Sequence, residues 1–265
     1  MSAVRAGGRA GQEMNANVRL ILMGLVAVAA VSGTIYLYST TWTVSQNMAQ
    51  CRQGMSPAII APCTAVIASG KADEDDLSEA HYNRGMEYDR RKQYALALED
   101  FSAALRLKPD TPTYLRARGV VYTDAGQYAL AVKDFDKLIA KLPGADAYND
   151  RCWARAVWGQ QLDAALADCN ASLKLDNTDP AAQDSRALVY FRLGKNDLAI
   201  GDASGAIAFA PGKLPSSLYV RGLARLREGN LKDGKADVAA AEKLDPDIAS
   251  RYAKWGVKPA DGSAP

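Results

Sequence analysis

The feature that most constrains this chain of 265 residues is a pattern that repeats every 34 residues. Small residues, aromatic residues and a closing proline stand at the same offsets in successive copies. In the first two copies they are Gly85, Tyr88, Ala97, Phe101 and Pro109, then Gly119, Tyr122, Ala131, Phe135 and Pro143. With one extra residue near Leu214, the pattern gives five copies between residues 78 and 248. A period of this length is typical of a solenoid of stacked units.

The residues of each copy predict two antiparallel helices, here called A and B. A glycine or alanine on each helix lets the backbones approach closely, and the aromatic residues fill the space beside them. Proline ends helix B because it has no amide hydrogen to donate and its ring clashes with the preceding turn. Leu and Ala dominate the composition while β-branched runs are rare, which also favours helix. The sequence therefore predicts an all-α fold.

This pattern resembles the tetratricopeptide repeat (TPR) family, and the resemblance covers roughly two-thirds of the chain. It implies a right-handed superhelix of helix-turn-helix repeats whose concave surface is lined by the A helices. In this family a partner peptide usually lies there in extended form. The concave positions carried over to this sequence are Tyr82, Asn83, Met86, Arg116, Val120, Asn149, Trp153, Asp184, Leu188, Phe191, Tyr219 and Leu223. Among them we single out Trp153 as the functional candidate.

Arginine and aspartate occupy the same two positions in all five copies. They are Arg84, Arg118, Arg151, Arg186 and Arg221 on helix A, and Asp100, Asp134, Asp168, Asp202 and Asp237 on helix B. Their separation is 16 residues in four copies and 17 in the third, which predicts a one-residue insertion near Val157–Gln161. We expect these residues to pair across the two helices or between neighbouring repeats, and to have a structural role.

The four cysteines form two candidate disulfides. Cys152 and Cys169 take the positions held by Gly85 and Phe101 in the first copy, which face the interface between helices A and B. A bond between them is therefore geometrically plausible. Cys51 and Cys63 flank the turn of a truncated capping repeat, residues 41–77, and suggest a second bond. Neither spacing is CxxC, so redox catalysis is not indicated. In a cytoplasmic protein all four would instead be small buried hydrophobic residues.

The segment from residue 20 to 38 contains no charge over 19 residues, close to the ~20 that a membrane-spanning helix needs. Three arginines precede it, so we predict a basic cytoplasmic tail at 1–19 and a transmembrane helix at 20–40. The rest of the chain would then lie in the periplasm, outside a bacterial inner membrane. A cleaved signal peptide, with its site near Ala27–Ala29, is the alternative.

The carboxyl-terminal end predicts a second cap. Ile248, Tyr252 and Trp255 share one face of a helix at 249–258, where they could cover the last apolar surface of the solenoid. The polar segment 259–265, rich in Gly and Pro, is predicted to be disordered.

Catalytic chemistry is not indicated. His81 is the one histidine of the sequence and is interpreted as a packing residue, and no phosphate loop or metal-binding motif is present. No cofactor or metal is expected. Outside residues 1–42 the charges balance, which argues against nucleic acid as a partner. The predicted function is a membrane-anchored scaffold that binds a protein or peptide in its concave groove. The alternative is a structural subunit of a membrane complex whose transmembrane helix makes the main contact, and an enzyme ranks last.

Overall fold

The computed structural model describes residues 34–54 and 56–258. The predicted cytoplasmic tail, residues 20–33 of the predicted transmembrane helix and the tail at 259–265 lie outside this range. The described residues form thirteen α-helices and no strand. The first two helices are α1 (Thr34–Cys51) and, after a short 3-10 turn at Pro57–Ile59, α2 (Ile60–Ala68). Within the described range no helix is both long and apolar enough to span a bilayer.

Ten helices follow as five antiparallel A–B pairs, which we number repeats 1 to 5. They are α3 (Glu74–Arg90) with α4 (Tyr94–Leu107), α5 (Pro112–Asp124) with α6 (Tyr128–Lys141), α7 (Ala145–Trp158) with α8 (Leu162–Leu175), α9 (Pro180–Arg192) with α10 (Asn196–Phe209), and α11 (Pro215–Arg227) with α12 (Leu231–Leu244). A short last helix, α13, spans Ile248–Lys254. Pro112, Pro180 and Pro215 begin helices A because the first helical amide needs no acceptor within the helix.

The Arg–Asp pairs join helices in two directions. In repeat 2, Arg118 Nε donates to Asp134 Oδ2 across the A–B interface at 2.7 Å, and Arg118 Nη1 reaches back to Ser102 Oγ of repeat 1 at 3.1 Å. The other four arginines make the same pair of contacts. These pairs therefore fix both the hairpin and the stacking of one repeat on the next. His81 supports the first of them, with Nδ1 2.8 Å from Asp100 Oδ1.

The extra residue of repeat 3 lengthens helix A. Helix α7 has 14 residues where α5 has 13, and it ends at Gly159 with φ of 73°. Gln161, the last residue of the same turn, also has a left-handed backbone with φ of 54°. The other hairpin turns have one such residue, in the middle of the turn. The extra residue therefore lies in α7, and the altered backbone of the turn in repeat 3 keeps α8 in register.

Both cysteine pairs are disulfides in the structure. Cys152 and Cys169 join α7 to α8 with their Cα atoms 5.4 Å apart, and Cys51 and Cys63 join α1 to α2 at 4.9 Å. In repeat 1 the same positions are held by a Gly85–Phe101 contact, where a Cβ atom on the glycine would stand 2.8 Å from the ring. The disulfide of repeat 3 therefore replaces a glycine–aromatic contact with a covalent bond.

The truncated repeat lies against the start of the solenoid. Thr64 of α2 accepts a hydrogen bond from Arg84 Nη1 at 2.9 Å, the contact that Ser102 makes with Arg118. Helix α2 is therefore the helix B of this incomplete unit. Val44, Met48 and Val66 are buried with the disulfide and with Ala80 of repeat 1. This cluster covers the apolar face that repeat 1 would otherwise expose.

Gly222 of repeat 5, with Gly201 of repeat 4 as the control, tests how closely the backbones of α11 and α12 approach each other. A Cβ atom on Gly222 would lie 2.9 Å from the carbonyl oxygen of Gly234, whereas one on Gly201 would meet no described atom within 4 Å. We expect Gly222→Ala to lower the free energy of unfolding by about 1–3 kcal/mol, because α11 and α12 must separate. Gly201→Ala should raise it by about 0.5–1 kcal/mol through helix propensity. Urea denaturation of both variants would show effects of opposite sign, and equal effects would contradict the packing.

Candidate functional site

The A helices line the concave surface, and its first half is open to solvent. Tyr82, Asn83 and Met86 of α3 are partly exposed beside a cavity of about 220 Å³ that they share with Arg52 and Ile59. Tyr82 is held by a stacked contact with Tyr114, whose ring centroid is 5.0 Å away. This end of the groove therefore presents a positioned aromatic side chain, an amide and a flexible thioether.

Arg116 and Val120 continue the open surface on α5. Arg116 is exposed, but its guanidinium already bridges two carboxylates of α7, with Nε 2.6 Å from Asp150 and Nη1 3.0 Å from Asp146. These bonds fix the guanidinium over the groove, while Val120 remains partly exposed. The open half of the groove thus extends from α3 to the first turns of α7.

The second half of the groove is occupied by the chain's own carboxyl-terminal segment. Tyr252 of α13 packs against Tyr219 of α11, with ring centroids 4.9 Å apart. Trp255, just after α13, meets Trp153 of α7 edge-on at 5.6 Å. Arg192 Nη2 donates to the carbonyl oxygen of Trp255 at 2.5 Å. The segment therefore crosses the concave surface from repeat 5 to repeat 3.

This placement corrects part of the predicted partner surface. Five of the twelve predicted groove residues are buried, and they are Asp184, Leu188, Phe191, Tyr219 and Leu223. The apolar members belong to one core cluster with Ile248, Ala249, Tyr252 and Val257 of the last segment. The repeat pattern predicts these apolar residues on the concave side, and in the structure the last segment packs against them. In this conformation the accessible groove residues are those of repeats 1 to 3.

A cavity of about 340 Å³ lies where the two halves of the groove meet. Its walls come from α7, α9, the start of α11 and the last segment, and they include Asn149, Asp150, Trp153, Asp184, Tyr252 and Trp255. Two indoles and two carboxylates therefore share one concave space. Because Tyr252 and Trp255 form one wall, this cavity exists only while α13 is docked.

The two carboxylates of the cavity differ in their partners. Asp150 is paired with Arg116, although burial still raises the pKa of its carboxyl group. Asp184 accepts a hydrogen bond from the Ser217 hydroxyl and has no ion-pair partner among the described residues. Burial also raises the pKa of Asp184, although the hydrogen bonds from Ser217 and Ser216 act in the opposite direction. Arg251, which also lines the cavity, is paired with Asp245.

The comparison with protein families now identifies the fold. Residues 78–111, which include most of repeat 1, match the tetratricopeptide repeat family. This chain therefore contains a tetratricopeptide repeat at residues 78–111. Among curated protein sequences none matches it significantly.

Solved structures show the same architecture across the TPR domain. A tetratricopeptide repeat protein from Parabacteroides merdae superposes with a TM-score of 0.61 at 20% identity, covering 82% of this chain and 83% of that chain. A thermophilic TPR protein of Thermus thermophilus has a TM-score of 0.57 at 21% identity, covering 68% and 97%. MamA, residues 41 to the end, from Desulfovibrio magneticus has a TM-score of 0.54 at 19% identity, covering 67% and 98%. At such identities these similarities establish the fold alone.

Asp150, Tyr252 and Trp255 line the cavity but were not among the predicted groove residues. The spacing of Ile248, Tyr252 and Trp255 indicated an amphipathic helix, and a terminal cap was the expected position for it. The two large aromatic side chains of this short segment were the signal in the sequence that it packs into the solenoid and does not only cover its end. In the part of the chain that the structure describes, no three His, Cys, Asp or Glu side chains are grouped to hold a metal ion.

Proposed function

We propose that this protein is an interaction scaffold that holds a protein or peptide in the open half of its groove. Residues 20–38 anchor it in a bacterial inner membrane, and its TPR domain lies in the periplasm. TPR proteins generally mediate protein–protein interaction. The observation that carries the proposal is the contrast between the two halves of the concave surface. Tyr82, Met86, Val120 and Trp153 remain partly exposed, whereas the apolar positions of repeats 4 and 5 are covered.

The membrane and compartment assignments have their own support. The uncharged run at residues 20–38 has the length of a single span, and arginines lie on one side of it. All four cysteines of the chain are disulfide-bonded in the structure. Disulfides persist in oxidising compartments such as the periplasm and are rare in the cytosol. These features together favour a TPR domain outside the cytoplasm.

Site-directed photo-crosslinking in intact cells tests the groove. A photoreactive residue at Val120 should capture a discrete partner, because this position is partly exposed inside the open half of the groove. The same residue at Lys133, an exposed position on α6, serves as the matched control. We expect Arg116→Ala to lower the yield at Val120 about fivefold or more, as for an interface anchor worth over ~1 kcal/mol. Equal labelling at Val120 and Lys133 would contradict the groove assignment.

An exchange of the membrane segment distinguishes the scaffold from a subunit held mainly by its span. Replacing residues 20–38 with an unrelated membrane-spanning sequence keeps the chain anchored and leaves the TPR domain unchanged. If the groove makes the main contact, crosslinking at Val120 should persist. Its loss would instead support the alternative in which the span itself binds the assembly.

The thiol state of the protein in its own cells tests the compartment. Non-reducing mass spectrometry after rapid alkylation should find both disulfides intact. Four alkylated thiols would place the TPR domain in a reducing compartment and overturn the periplasmic orientation.

A further inference from the structure

We propose that the cavity between α7, α9 and the last segment binds the guanidinium group of an arginine side chain. The inference rests on the proposed function, since this arginine would belong to the peptide held in the groove. The cavity opens at the end of the accessible half of the concave surface, where Trp153 is partly exposed. A peptide lying across α3 and α5 would reach it without displacing α13.

The first observation is a buried carboxylate without a cation. Asp184 lines the cavity, is buried, and has only serine hydroxyls as hydrogen-bond donors. The buried aspartates on helices B, such as Asp134 and Asp168, each bind at least one arginine. A buried carboxylate is stable when it is paired with a cation, and it is costly when it is not. Asp184, on helix A of repeat 4, is buried without an arginine partner among the described residues.

The second observation is a set of unsatisfied polar atoms at the same place. The Tyr252 hydroxyl belongs to a side chain that is 1% exposed, and it has no hydrogen-bond partner among the described residues. Asn149 Oδ1 is likewise buried and unpaired in that range. Both residues line the cavity. Buried polar atoms in native proteins are nearly always paired, so two orphans beside one cavity point to a missing group.

A guanidinium group fits these partners better than the other common side-chain groups. Its five N–H donors could serve a carboxylate, an amide oxygen and a hydroxyl oxygen together. Trp153 and Trp255 add aromatic surface, which attracts cations. An anion would instead meet Asp150 and Asp184, because Arg116 and Arg251 are already engaged with Asp150 and Asp245. An apolar group would leave the unpaired oxygens unsatisfied.

A pair of short peptides tests the proposal on the full chain. The probes are acetyl-Gly-Arg-Gly-amide and the same peptide with citrulline, which keeps the shape of arginine and removes its charge. With ¹⁵N-labelled tryptophan, NMR should show the indole signals of Trp153 and Trp255 moving with the arginine peptide. The signal of Trp158, which stacks on Tyr128 outside the cavity lining, should stay in place. We expect the arginine peptide to bind at least tenfold more tightly than the citrulline peptide.

Substitution of Asp184 provides the decisive variant. Asp184→Asn should weaken arginine binding at least tenfold, whereas the control Asp197→Asn, at an exposed position on α10, should leave it unchanged. Because the substitution replaces a buried carboxyl group that has no cation with a neutral amide of similar shape, Asp184→Asn should not lower the melting temperature, which separates lost binding from lost folding. Equal binding of the two peptides, or unchanged binding by Asp184→Asn, would overturn the proposal.

Failure of this inference is distinguishable from failure of the proposed function. If Val120 crosslinks a partner while the arginine peptide does not bind, the scaffold stands and the guanidinium site is wrong. If the arginine peptide binds and Asp184→Asn abolishes its binding while Val120 captures nothing, the cavity stands and the groove assignment is wrong.

Discussion

Tyr252→Ala should lower the free energy of unfolding of the carboxyl-terminal repeats by about 3–5 kcal/mol, the range for removing a buried aromatic side chain. Tyr252 is 1% exposed and lies between Tyr219 and Trp255, with ring centroids 4.9 Å away on both sides. Its loss would leave a void beside the apolar residues of α9 and α11 and release α13 from the groove. Urea denaturation, together with binding of a hydrophobic dye, would measure both effects.

Tyr252→Phe is the matched control for this experiment. The Tyr252 hydroxyl has no hydrogen-bond partner among the described residues, so its removal should leave stability equal or slightly higher. Packing on Tyr219 and Trp255 would be retained. A large loss of stability in Tyr252→Phe would mean that the hydroxyl is paired, and wild-type stability in Tyr252→Ala would mean that α13 does not occupy the groove.

Asp168→Ala should destabilise repeat 3 by about 3 kcal/mol, the loss typical of removing one partner of a buried ion pair. The Asp168 carboxylate is buried and accepts hydrogen bonds from two arginines, Arg151 through Nε at 2.9 Å and Arg155 through Nη1. Without it, Arg155 would be left buried on α7 and Arg151 would keep only the exposed Asp136. Thermal unfolding followed by circular dichroism would detect the change.

The corresponding substitution in repeat 4 provides the comparison. Asp202 binds a single arginine, Arg186, and its side chain is 15% exposed where that of Asp168 is 6% exposed. Because fewer charges lose their partner and solvent reaches the site, Asp202→Ala should cost about 1–2 kcal/mol. If the two variants lost equal stability, the second arginine of repeat 3 would have no energetic role.

The repeat architecture could be predicted from the sequence because the same residue types recur at the same offsets in each copy. Gly85 and Gly119 mark the close approach of two helices, and Pro109 and Pro143 mark the end of helix B. The spacing of arginine and aspartate even located the insertion that lengthens α7. Contacts of this kind lie within one repeat or between neighbours, so a period of 34 residues is enough to predict them.

The candidate site could be predicted only in part. Helix periodicity predicts Trp153, Tyr219 and Leu223 on the concave side, and in the structure all three pack in one core cluster with the last segment. Periodicity carries no information on whether another segment covers that side. Tyr219 and Leu223 are buried by residues that follow them by about 30 positions, and no repeated pattern relates the two groups.

The sequence by itself determined the number of repeats and the pairing of their helices, because these depend on side chains at fixed local offsets. Only the tertiary structure decided how much of the groove is accessible, because α13 could have packed on any exposed apolar surface. Tyr252 and Trp255 reach across to Tyr219 and Trp153, and the burial of these rings away from water stabilises the contact. This packing covers the concave surface of repeats 4 and 5 and forms the cavity that Asp184 lines.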